Sequence, residues 1–301
     1  MAKSGGADRL SPQPQGQNPS AASPTQQLQR PRPADVAGIR RVAAGDSLVS
    51  TCVVTVHDRA GEAASQIRAV RGRLLAMKTK DGRPRRVITV TSATREEGKS
   101  TVALNLAVAL GEVDPGRIML VDGDVHAPSL HVLANIHAST GLNDILQDGL
   151  DLNDNVYETS VPRVDIIPAR PVETTDGHQG LLAAHCTALF AKLRTFYSFV
   201  IVDTPPVLAS SEACMFGRHS DGVLLIARLE KTSREVVKRA AQEVKESGGE
   251  VIGCILTDRR HHVPSFIYRF FGTPPDQYYY YRRKRTHDAL ESGSGTDLAK
   301  M

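Results

Sequence analysis

The stretch Arg86-Val87-Ile88-Thr89-Val90-Thr91-Ser92, then Ala93-Thr94-Arg95-Glu96-Glu97-Gly98-Lys99-Ser100, then the apolar run Thr101 to Leu110, decides the fold. The first seven residues form a short β-branched run and read as a strand. Ser100 to Leu110 is apolar nearly all round and reads as a buried helix closed by Gly111. Between them lies the spacing of a phosphate-binding loop (P-loop), with Ala93 in place of its first glycine. The chemistry explains the spacing. Backbone N–H groups at a helix N-terminus cradle phosphate oxygens, and the helix dipole adds attraction. Gly98 lets the backbone approach closely, Lys99 reaches the β- and γ-phosphates, and the Ser100 hydroxyl ligates Mg²⁺. Arg95 and Glu96 are unusual in the middle of such a loop, and a left-handed Glu96 costs about 1 kcal/mol. Glu96 and Glu97 also bring two carboxylates towards phosphate, a repulsion that Arg95 offsets in part.

Working outward, strands are expected at Arg117 to Asp122, Val164 to Pro168, Phe199 to Asp203, Gly222 to Arg228 and Glu250 to Thr257. Helices are expected at Glu62 to Met77, Leu181 to Phe196 and Ser233 to Ser247. In the first of these, Ala63, Ile67, Val70, Leu74 and Met77 share a face. Asp81-Gly82-Arg83-Pro84 ends that helix as a turn. Continuous apolar strands separated by helices predict an α/β P-loop NTPase fold, a mostly parallel sheet covered by helices on both faces. Residues 1–48 are rich in Gln, Pro, Ser, Ala and Gly and read as a disordered tail. The expected domain is 49–262, followed by a disordered, tyrosine-rich tail at 263–301.

Composition narrows the function. The 301 residues are 41% apolar with a net charge of only +4, so a globular core is expected and general nucleic-acid binding is not. Cys52, Cys186, Cys214 and Cys254 form no CxxC pair and read as buried thiols in a reducing compartment. No apolar run approaches the roughly 20 residues needed to span a bilayer, and no signal-type h-region follows the N-terminus. The expected location is cytoplasmic.

Two further carboxylate sites stand at strand ends. One strand ends in Val121-Asp122-Gly123-Asp124 and another in Val202-Asp203-Thr204-Pro205-Pro206. In a parallel sheet, ligands bind beyond the carboxyl ends of the strands, so three aspartates are expected beside the P-loop. Mg²⁺ prefers carboxylate, hydroxyl and water oxygens. Ser100, Asp124 and Asp203 are the expected metal residues. Asp122 and Asp124 form a carboxylate pair with room for a general base.

Together these residues resemble the bacterial tyrosine kinases (BY-kinases) of capsule and exopolysaccharide biosynthesis, over roughly residues 60–262 plus the tail. The motifs that carry the resemblance are Gly98-Lys99-Ser100-Thr101, Asp122-Gly123-Asp124 followed by Pro128-Ser129-Leu130-His131, and Asp203 to Leu208. Asp221 to Leu225 and Lys231-Thr232-Ser233-Arg234 also look like family sequence, with no role attached. The resemblance implies ATP and Mg²⁺ as cofactors. It implies nucleotide contacts from Thr94, Glu97, Gly98, Lys99, Ser100 and Thr101, and catalysis by Lys99, Asp122, Asp124 and Asp203, with Asp122 accepting the tyrosine proton. The consecutive Tyr278, Tyr279, Tyr280 and Tyr281 are the implied phosphoacceptors. Arg282-Arg283-Lys284-Arg285 follows them, a run that suits anionic lipid or acidic surfaces. Arg68 and Arg71 lie where the family's ExxRxxR helix contacts a neighbouring subunit, with Ser65 in place of its glutamate, so a ring-like homo-oligomer is implied. A stand-alone kinase of this type implies a transmembrane activator, the polysaccharide co-polymerase, which holds it at the inner face of the plasma membrane. A cognate tyrosine phosphatase is a further expected partner.

Departures from the family pattern keep two alternatives in play. Arg95-Glu96 stands where Pro-Gly is usual, His126-Ala127 where a basic pair is usual, and Thr174-Thr175-Asp176 where Pro-Asn-Pro is usual. The first alternative is a degenerate nucleotide-binding regulatory partner of the export machinery. The second is a Min/Par-type partitioning ATPase. Those proteins usually carry a second lysine early in the P-loop, and Ala93-Thr94-Arg95 has none.

Overall fold

The computed structural model describes residues 39, 41–42, 49–147, 151–170 and 178–258. The four consecutive tyrosines and the Arg282 to Arg285 run, most of the N-terminal 48 residues, and Thr174 to Asp176 lie outside the described residues.

In chain order the elements are β1 (Arg41–Val42), α1 (Val54–His57), α2 (Glu62–Ala76), β2 (Val87–Ser92), α3 (Lys99–Gly111), β3 (Ile118–Asp122), α4 (Leu130–Leu133) and α5 (Leu142–Gln147). There follow β4 (Val156–Glu158), β5 (Val164–Ile167), α6 (His178–Phe196), β6 (Phe199–Asp203), α7 (Glu212–His219), β7 (Gly222–Arg228), α8 (Arg234–Glu246) and β8 (Val251–Thr257). The strands form one sheet in the order β1-β4-β5-β3-β6-β2-β7-β8. Every pairing is parallel except β4 with β5. The six expected strands all form. β1 and β4 were not expected, and β1 places Arg41 and Val42 in the sheet ahead of the expected start of order at Val49.

The central strands β2, β3 and β6 are buried along their whole length, as continuous apolar runs require when both faces are covered. On one face, α3 inserts Leu104, Leu106 and Leu110 against Ile88, Val90, Leu120 and Ile201. Helix α2 lies outside α3 and buries Ala64 and Leu74, with Ile67 and Val70 half-buried against the same core. On the other face, α5, α6 and α7 cover Met119, Val121, Val200 and Val202. Helix α8 packs Ala240 and Val244 against Val223 and Leu225 of β7.

Loops after β2, β3 and β6 gather at the carboxyl edge of the sheet. Their spacing depends on Gly123. A Cβ there would lie 2.9 Å from the Asp203 carbonyl oxygen and 2.8 Å from the Phe216 ring, so only glycine lets the ends of β3 and β6 come this close. The Gly123 N–H donates to that carbonyl at 2.7 Å. Asp122 and Asp203 are consequently register partners on adjacent strands.

Candidate nucleotide and phosphoryl-transfer site

The expected P-loop is a strand–turn–helix unit. β2 ends at Ser92 and α3 begins at Lys99. Gly98 has φ 87°, a conformation that only glycine adopts without strain, and Glu96 has φ 62°. Glu96 is therefore left-handed, at a cost of about 1 kcal/mol. A cleft of about 770 Å³ opens in front of Arg95 to Thr101. Its opposite wall includes Asp124, His126, Pro205 and Pro206.

The two glutamates behave differently from expectation. Glu97 is 1% exposed, and its carboxylate turns into the protein rather than towards phosphate. One carboxylate oxygen accepts the Thr94 N–H at 2.7 Å, and the other accepts the Thr232 hydroxyl. Glu97 is thus a brace within the loop, and any contact it offers a nucleotide comes from its backbone. The Glu96 side chain points to solvent and pairs with Lys231 Nζ at 3.3 Å. Lys231, rather than Arg95, offsets its charge.

Lys99 Nζ lies 3.1 Å from Asp124 Oδ2, and both side chains are largely buried. Asp124 also accepts the Ala127 N–H at 3.0 Å. Asp203 is fully buried, and neither of its carboxylate oxygens makes a hydrogen bond of good geometry among the described residues, although the Ser100 hydroxyl and the Thr204 N–H lie close enough to act on it. Burial raises its pKa above the ordinary carboxylate range, while the nearby Lys99 ammonium and Ser100 hydroxyl pull it back. Two orphaned, buried acceptors next to Lys99, Ser100 and Asp124 fit a hard cation. Among the described residues no three His, Cys, Asp or Glu side chains converge into a cage. Mg²⁺ in phosphate sites takes one or two carboxylates and fills its remaining positions with phosphate and water.

Asp122 has no exposed surface. Oδ1 accepts the Asp124 N–H at 3.2 Å, and Oδ2 accepts the N–H groups of Ser129 and Leu130 at 3.1 and 3.0 Å. In this arrangement Asp122 holds the loop from Asp124 to Leu130 against the sheet. Burial and the adjacent Asp203 raise its pKa, and the three N–H bonds only partly oppose them. A carboxyl raised in this way is a better proton acceptor than an ordinary aspartate.

The remaining expected residues divide. Thr94, Ser100 and Thr101 lie on the loop or the first turn of α3, as expected. Arg68 and Arg71, the expected oligomer contacts, both bind Glu112 in the same chain, at 2.7 and 2.8 Å. Arg71 also donates to the Ala109 carbonyl. Sequence reasoning missed Glu212. It is 2% exposed at the start of α7 and shares a hydrogen bond with His126 Nε2 at 2.9 Å, while its other oxygen is buried without a partner among the described residues. It also missed Thr232 and Thr257. The only sequence signal was the unassigned Lys231-Thr232-Ser233-Arg234.

A mostly parallel sheet with a phosphate loop, a buried lysine and strand-end aspartates defines a P-loop nucleotide-binding protein. The AAA domain family model AAA_31 matches residues 85–249, and the chain belongs to that family. It is similar to CapB of Staphylococcus aureus, at 25% identity over 219 residues, which are 72% of this chain and 94% of that one. It is similar to the tyrosine-protein kinase YwqD of Bacillus subtilis, at 27% identity over 186 residues covering 62% and 77% of the two chains. Among solved structures it is similar to the VpsO kinase domain, with 29% identity and a TM-score of 0.58 over 66% of this chain and 95% of that one. The resemblance to the bacterial tyrosine kinases therefore extends beyond the short motifs to most of the domain.

Proposed function

We propose that this protein is an ATP-dependent protein tyrosine autokinase that regulates polymerisation and export of capsule or exopolysaccharide. The observation that carries the reading is Lys99 bound to Asp124 beside the orphaned carboxylate of Asp203, at the mouth of a phosphate loop. Phosphoryl transfer depends almost wholly on positioning and charge neutralisation. Lys99 would leave Asp124 for the β- and γ-phosphates. Ser100, Asp124 and Asp203 would hold Mg²⁺, which neutralises charge on the transferring phosphoryl group. Asp122 accepts the phenolic proton of an incoming tyrosine.

The phosphoacceptors are Tyr278 to Tyr281, presented in trans within a ring-like homo-oligomer that Arg68 and Arg71 help to hold. A transmembrane co-polymerase activates the kinase and keeps it at the inner face of the plasma membrane, and a tyrosine phosphatase reverses the modification. Among the described residues no helix is long and apolar enough to cross a membrane, which suits attachment through a partner.

The test is phosphotyrosine mass spectrometry on protein incubated with Mg-ATP and its activator. Wild type acquires phosphate on Tyr278 to Tyr281, whereas Lys99→Ala acquires none. Phosphotyrosine in Lys99→Ala equal to wild type removes the kinase reading.

A further inference from the structure

An anion cradle made of backbone N–H groups has a geometrical requirement. If successive N–H groups face the ligand, the carbonyls of the same loop must face away and need donors elsewhere. In this protein each carbonyl from residue 94 to 98 has such a donor. Ser92 Oγ donates to the Thr94 carbonyl at 2.6 Å. Lys231 Nζ donates to the Arg95 carbonyl at 3.1 Å, and Arg228 Nη1 to the Glu96 carbonyl at 3.5 Å. Thr257 Oγ1 donates to the Glu97 carbonyl at 2.7 Å. The Val102 N–H, in the first turn of α3, donates to the Gly98 carbonyl at 3.0 Å.

Three of the five donors come from one place. Arg228 ends β7, Lys231 lies in the β7–α8 loop, and Thr257 ends β8. The same loop supplies the Thr232 hydroxyl to the Glu97 carboxylate, which in turn takes the Thr94 N–H. Thr257 also stands behind the left-handed Gly98, with its methyl carbon 3.6 Å from where a Cβ would be. Neither threonine is among the residues that face the cleft.

From this geometry we infer that Lys231, Thr232 and Thr257 are positioning residues for the nucleotide. They hold the Arg95 to Gly98 backbone in its phosphate-binding conformation without touching the ligand. The inference rests on the reading of this loop as a nucleotide site and adds three residues that no P-loop motif contains. The reason for a clamp from β7 and β8 lies in the sequence. Arg95-Glu96-Glu97 provides neither the glycines nor the proline that would preset this backbone, and Glu96 sits at positive φ. The loop's shape must therefore be imposed from outside.

Calorimetric titration of the full chain with MgADP tests this. Thr232→Val and Thr257→Val are nearly isosteric and remove only the donor. Each weakens MgADP binding about five- to ten-fold, the effect of one lost hydrogen bond. Thr232→Ser and Thr257→Ser restore the affinity because they restore the hydroxyl. Lys231→Met acts on a half-exposed side chain whose loss leaves the fold intact, and it weakens binding to a similar extent. A change in melting temperature without a change in affinity would mean that these residues are merely structural, and it overturns the inference. If wild type binds MgADP and all three variants bind equally well, the clamp fails while the nucleotide site stands. If wild type itself binds no MgADP, both fall together.

Discussion

At the residue scale, the site is organised by carboxylates in unlike surroundings. Asp124 has the Lys99 ammonium, Asp122 has three N–H donors, and Asp203 has no hydrogen bond of good geometry among the described residues. Burial raises both Asp122 and Asp203, so the folded protein holds protons there that the unfolded chain has released. The sign follows from linkage. Stability contributed by these groups is greatest below the unfolded aspartate value of about 3.9 and falls as pH rises through the raised folded range. Without Mg²⁺, Asp203→Asn is therefore expected to be more stable than wild type at neutral pH, by on the order of 2 kcal/mol. It also loses the stabilisation that wild type gains from Mg-nucleotide. Thermal melts across pH, with and without MgADP, measure both effects. Equal melting of the two proteins in EDTA at every pH would refute this account of Asp203. The sequence made these aspartates visible because strand-end carboxylates beside a P-loop follow from the sheet's polarity. It could not show that Glu97 turns inward, because its partner Thr232 lies 135 residues away and leaves no periodic trace.

At the scale of elements, the long central strands and α3 were legible because each carries an uninterrupted apolar run. The elements that were not legible are short. β1 and β4 contain two and three residues, and α1 contains four, too few for any periodicity to register. What fixes α1 is tertiary. Asn105, in the middle of apolar α3 and 2% exposed, accepts the Thr55 N–H and hydroxyl at 3.1 and 3.0 Å. Its amide donates to the carbonyls of Cys52 and Thr101 at 3.1 and 2.8 Å. One polar residue on a buried helix thereby anchors the segment that leads into α2. Asn105→Ala leaves buried groups of Thr55 and Cys52 unpaired and should cost about 2–3 kcal/mol, read by urea unfolding. A loss below about 0.5 kcal/mol would mean that water replaces the amide without penalty.

At the scale of the whole molecule, the proposed oligomer would turn on α2. Arg68 and Arg71, expected at a subunit contact, are held by Glu112 at the end of α3. The Glu112 carboxyl is lowered by its hydrogen bond to Arg68, and the pair lies near the surface, so the bridge is weak enough to exchange. Glu112→Gln should remove the charge partner of both guanidinium groups, which keep their bonds to the Arg59 and Ala109 carbonyls, and shift the protein towards the oligomer. Light scattering with Mg-ATP reads the shift as a greater mean mass at a given concentration. A lower mean mass would instead make the bridge part of the assembled form.

The bridge also bears on ionic strength. An association that creates ion pairs weakens steeply as salt screens them, over a Debye length of about 8 Å at physiological ionic strength. An association that only hands two arginines from Glu112 to a neighbour creates none. Salt weakens the pairs on both sides of such an equilibrium, and the two effects largely cancel. Assembly through α2 should then be nearly indifferent to potassium chloride in wild type. In Glu112→Gln it should become salt-sensitive, because the neighbour's pairs would no longer be offset by pairs given up within the chain.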